Sequence, residues 1–133
     1  DSAAYAALIG VNQKTLFFLA LSWTLLIVFL SLVSLSSIKD PIDLPYKDKA
    51  VHFVFYFVFV FLWDVWKFKS ASQKSSWIIL RIAILFGISI ELCQAYLTQE
   101  RKFEFFDIIA NSVGAFIGFI TAEKIIKSYK SHL

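Results

Sequence analysis

The residues with the most chemistry to offer fall at three places in the chain. Asp48, Lys49, His52 and Tyr56 come first; Asp48, His52 and Tyr56 stand at i, i+4 and i+8, so on a helix they share a face. Glu91 and Gln94 come second, within a stripe of Gly87, Glu91, Gln94 and Thr98 at helical spacing. Asp107 and Asn111 come third, followed by Gly114 and Gly118, and on a helix these four fall within about 60° of arc. A histidine with carboxylates is an acid–base set, so His52, Glu91 and Asp107 are the catalytic candidates. The same three side chains could hold a metal, but one histidine and two carboxylates at unrelated spacing carry no ligand signature, and neither metal nor cofactor is expected. Lys49, and Arg101 with Lys102 in TQERKFEFFD, offer cationic donors to a polar or anionic head, and Arg101 could meet Asp107 or Glu91 bidentately. No HExxH occurs, and no Ser-His-Asp arrangement can be read. Cys93 is a lone cysteine, which excludes an intramolecular disulfide and reads as a packing thiol.

The elements that must position these groups follow from composition. The 133 residues are 59% hydrophobic, with 15 Phe and a mean hydropathy of +0.70, so most of the surface must face lipid. The formal charge of +3 does not point to nucleic acid, because the basic residues sit between apolar runs and form no continuous polar face. Four runs are long and apolar enough to cross a bilayer: about 16–35, 50–66, 77–97 and 106–122. Phe, Val and Ile favour strands in water, but in lipid each segment must satisfy its own backbone, which a helix does alone. The expected fold is all-α, a polytopic four-transmembrane-helix bundle forming one domain over 14–133. Residues 1–13 are set aside as an N-terminal extension, and Pro41 and Pro45 mark a loop after the first span.

Charge sets an orientation. Lys14, then Lys67, Lys69 and Lys74 between spans two and three, then Lys124, Lys127 and Lys130 after span four lie on one side, opposed only by Glu123. By the positive-inside rule that side is cytoplasmic, with both termini there. Trp66 and Trp77 would anchor the inner interface, and Ile125, Ile126 and Tyr129 would lie on the inner leaflet.

An ionisable group at the centre of a span costs about 2.5–3.5 kcal/mol on insertion scales, so each one needs a reason. His52, Gln94 and Asn111 sit roughly 5–8 Å below the outer ends of their helices, with Glu91 deeper, and the three polar stripes must face one another. Plainer roles compete. Gly114 and Gly118 form a GxxxG that suits close helix packing, Asp107 could cap its helix, and Asn111 could bond between helices. His52 and Tyr56 could be packing residues, while Asp64 and Arg81 need only snorkel to the inner headgroups. Glu91 is the hardest to explain without a function, because a carboxylate that deep must be paired or protonated.

DKAVHFVFYF at 48–57, ISIELCQAYL at 88–97, and R-x5-D-x3-N-x2-G-x3-G from Arg101 to Gly118 together resemble the VanZ-like family of small bacterial membrane proteins. The resemblance spans 47–120, and the family pattern falls on Asp48, Lys49, His52, Tyr56, Glu91, Gln94, Arg101, Asp107, Asn111, Gly114 and Gly118. It implies a four-helix domain in the bacterial cytoplasmic membrane and an association with resistance to teicoplanin. The expected function is an outward-facing polar cluster that binds a lipid headgroup, a lipid-linked cell-wall precursor or a lipoglycopeptide. An intramembrane enzyme acting on a lipid-linked substrate ranks second and a transporter third. Membrane lipids are the expected partners, nucleic acid is not, and oligomerisation is left open.

Overall fold

The structure is a computed structural model that describes residue 3 and residues 10–33, 47–70, 77–97 and 104–131; for Lys47, Asp48 and Ser70 it describes the backbone. These hold four helices: α1 Gln13–Leu32, α2 Lys47–Ser70, α3 Trp77–Leu97 and α4 Phe105–Ser131. Each is long and apolar enough to cross a membrane, and the chain is a multi-pass membrane protein of the expected all-α class. Asn12 starts α1, its side-chain oxygen accepting the Thr15 amide at 2.8 Å. Lys67 and Lys69 close α2 and Lys130 closes α4, where cations suit the negative end of the helix dipole.

Small residues on α4 decide how it meets α2. A Cβ on Gly114 would collide with the backbone of Phe53, and one on Gly118 with the backbone of Phe57, so only glycine lets these helices approach so closely. The GxxxG is thus a packing device, as its spacing indicates. α2 also packs against α1, where the Trp23 ring nitrogen donates to the Phe55 carbonyl at 2.8 Å and the Trp63 ring nitrogen to Thr24 Oγ1 at 3.0 Å. Phe59 stacks on Phe86 of α3 at 5.2 Å between ring centroids. Outside this core the large apolar side chains Phe18, Leu25, Phe29 and Leu85 stay exposed, a surface suited to acyl chains and not to water.

Three expectations change. The tail after the fourth span does not lie on the leaflet: it continues α4 to Ser131, burying Ile126 and packing Ile125 and Tyr129 beside Leu16, Val65 and Ala122. Ile126 follows Ala122 by four residues and so stays on the buried stripe, which draws the tail onto the bundle instead of the leaflet. Trp66 packs against Phe17 and Trp63, whereas Trp77 is exposed at the start of α3. Asp64 does not snorkel, being 1% exposed with Glu123 of α4 beside it. It continues the His52, Tyr56, Val60 series at four-residue steps, which aims it into the bundle.

Candidate functional site

The antiparallel helices bring the start of α2, the end of α3 and the start of α4 to one end of the molecule, and the polar stripes meet there. His52, Tyr56, Glu91, Gln94, Asp107 and Asn111 are all buried. Burial of six polar side chains from three helices requires that they satisfy one another or a ligand. Asp107 is the hub. Its Oδ1 lies 2.6 Å from the Lys49 ammonium, and its Oδ2 lies 3.7 Å from His52 Nε2. Lys49 also reaches Glu104 at 2.5 Å, so one cation bridges a buried and an exposed carboxylate.

His52 Nδ1 is 2.9 Å from Asn111 Oδ1; because an amide oxygen only accepts, Nδ1 carries the hydrogen of that bond and Nε2 is the ring nitrogen left to face Asp107. Glu91 accepts the Glu104 amide at 3.0 Å through Oε1, which ties the end of α3 to the start of α4. Gly87 leaves room where three helices converge: a Cβ there would stand 3.1 Å from the Tyr56 ring and 3.2 Å from Asn111 Nδ2. Among the described residues, neither the Tyr56 hydroxyl nor Asn111 Nδ2 has a hydrogen-bond partner. Gln94 turns the other way and donates to the Ser31 carbonyl of α1 at 2.8 Å.

Lys49, His52, Tyr56, Glu91, Asp107 and Asn111 therefore stand together, and Gln94 joins their end of the bundle to α1. The Asp48 side chain and Arg101, with the proposed pairing of Arg101 to Asp107 or Glu91, lie outside the described residues. Asp107 occupies the first turn of α4, where a carboxylate suits the dipole. Capping is not its role, however, because its oxygens turn to Lys49 and His52. Two contributors were not singled out from sequence. Glu104 stands three residues before Asp107, a spacing that marks one face of an N-terminal turn. Ser31 continues the buried α1 series Leu16, Ala20, Ile27, a stripe hidden by its uniformly apolar neighbours. A separate hollow of 490 Å³ lies between Trp77 of α3 and Lys127 of α4 and includes none of the cluster.

A protein-family model described as VanZ/LLP1 matches residues 5–127. Among curated proteins, an uncharacterized protein of Schizosaccharomyces pombe is 28% identical over 89 residues, covering 66% of this chain and 54% of the relative. This chain thus matches about half the length of that relative. No solved structure matches the chain.

Proposed function

The chain belongs to the VanZ/LLP1 family, and on that premise we propose that its polar cluster binds the head of an acyl-chain amphiphile at the membrane surface. The observation that carries this reading is the pair of buried donors, the Tyr56 hydroxyl and Asn111 Nδ2, without an acceptor among the described residues. Leaving such donors unbonded in a dry place is costly, and an oxygen-rich head would satisfy them, while Lys49 offsets the Asp107 and Glu104 carboxylates beside it. A membrane phospholipid, a lipid-linked cell-wall precursor and a lipoglycopeptide such as teicoplanin all share that chemistry. Protection against teicoplanin would then follow in a bacterial host from the same site acting on an acylated drug.

The lysine distribution supports an orientation with the cluster at the outer face of a bacterial cytoplasmic membrane and both termini in the cytoplasm. A second reading, acid–base chemistry on the bound lipid, is favoured by one arrangement: His52, set by Asn111, presents Nε2 toward Asp107.

Native mass spectrometry of the detergent-purified protein, with an anionic phospholipid, a lipid-linked precursor or teicoplanin added in turn, tests the binding. One amphiphile should remain bound to the wild type and be lost from both Tyr56→Phe and Lys49→Ala. Equal retention by wild type and variants would mean that the lipid sits elsewhere.

A further inference from the structure

Donor atoms from three helices converge around His52. Its Nε2 and Asp107 Oδ2 are 3.7 Å apart, too far for a hydrogen bond. Two ligands held about 2.0–2.2 Å from one ion at tetrahedral to trigonal angles stand about 3.3–3.8 Å apart, so this separation suits a shared ion. One ligand atom each from His52, Glu91 and Asp107 lies within 4.8 Å of the other two. Closing the widest gap, at most 4.8 Å, by up to about 1 Å brings all three onto one centre. All three side chains are buried.

Each of the three is also held by a neighbour of the kind that orients metal ligands. Asn111 fixes the His52 tautomer at 2.9 Å, Lys49 holds Asp107 by its other oxygen at 2.6 Å, and the Glu104 amide holds Glu91 at 3.0 Å. An independent feature points to a ligand at the same place. The Tyr56 hydroxyl, 1% exposed and without a hydrogen-bond partner among the described residues, belongs to a ring one helical turn from His52 that faces Gly87, one turn before Glu91. From there it can donate to a water or other oxygen that completes a coordination shell.

We propose that His52, Glu91 and Asp107 bind one divalent transition-metal ion of the zinc or manganese class, with an open coordination position on the Tyr56 side. One imidazole nitrogen and two carboxylate oxygens form a mixed set that suits these ions better than all-oxygen calcium sites or thiolate sites. Sequence spacing carries no hint of it, because the ligands are 39 and 16 residues apart and only the bundle brings them together. The site shares the Tyr56 hydroxyl with the amphiphile reading, but its ligands are other residues and it is tested without any lipid added.

Tag-free protein in detergent is stripped with chelator, incubated with Zn²⁺ or Mn²⁺, freed of excess ion, and its metal counted by inductively coupled plasma mass spectrometry. Wild type should keep about one ion per chain. Glu91→Gln and Asp107→Asn, verified as folded by circular dichroism, should lose at least about tenfold in affinity, and Asn111→Ala about 10–100-fold. Asp64→Asn, which alters a buried carboxyl far from the cluster, should bind as wild type does. If the ligand variants do not fold, Co²⁺-loaded wild type decides. Strong visible bands that Zn²⁺ displaces support the site, and the weak spectrum of aqueous Co²⁺ overturns it. Wild type that keeps no ion, or folded ligand variants that keep as much as wild type, also overturns it.

Discussion

Asp107 is 2% exposed and its ion pair with Lys49 is 2.6 Å long, so removing the ammonium strands a carboxylate where little water reaches. Lys49→Ala should cost about 1–3 kcal/mol, below the usual figure for breaking a fully buried pair because Lys49 is itself partly exposed. Thermal unfolding in detergent measures the loss, and adding Asp107→Asn should restore part of it, since the double variant buries no unpaired charge. At this scale the sequence revealed which residues gather but not how they pair. Helical spacing and the cost of charge in lipid put Asp48, His52, Tyr56, Glu91, Asp107 and Asn111 on facing stripes, with Lys49 legible only as a cationic donor beside them. How Asp107 is shared between Lys49 and His52 depends on side-chain reach and helix rotation, which no periodicity encodes. Gln94 shows the same limit: its stripe was legible, yet its acceptor is a backbone carbonyl on α1, a partner with no signature in residue type.

Among the helices, α2 against α4 is the contact on which the cluster depends, because it sets Lys49 and His52 opposite Asp107 and Asn111. Gly114→Ala or Gly118→Ala would press a methyl into the backbone of Phe53 or Phe57 and should cost about 1–3 kcal/mol by forcing the helices apart. Gly87→Ala meets a ring edge and an amide at 3.1 and 3.2 Å. It should therefore disturb stability less than either α4 change while shifting Tyr56 and Asn111. Thermal midpoints of the three variants, compared under one detergent condition, check the order. The GxxxG was readable because small residues four apart leave a groove whatever surrounds them. The docking of the α4 tail was not, since Glu123, Lys124 and Lys127 point to the leaflet surface until Ala122 and Ile126 are seen to share a buried stripe. Asp64 escaped for a related reason: a carboxylate near a helix end reads as solvated unless the neighbouring helix is known to cover it.

For the whole molecule, the two ends differ in character. One gathers the buried polar cluster; the other carries Lys14, Lys67, Lys69, Lys124, Lys127 and Lys130. Reporter fusions in a bacterial host should report the C-terminus, and an insertion after Lys69, as cytoplasmic. A periplasmic reading at either place would reverse the orientation and set the cluster at the inner leaflet. The exposed Phe and Leu side chains on α1 and α3 leave ample surface for ordinary annular lipid, so any claim of a specific amphiphile must separate headgroup capture from general solvation by acyl chains.

A phospholipid carrying a photoreactive group on its head, incorporated with the protein into nanodiscs and irradiated, makes that separation most directly when the labelled peptides are mapped. Headgroup capture predicts adducts concentrated at 49–56, 91–97 and 104–111 and sharply reduced in Tyr56→Phe. Adducts spread evenly around both ends of the bundle, unchanged by that substitution, would contradict the account and leave the cluster without a role in binding lipid.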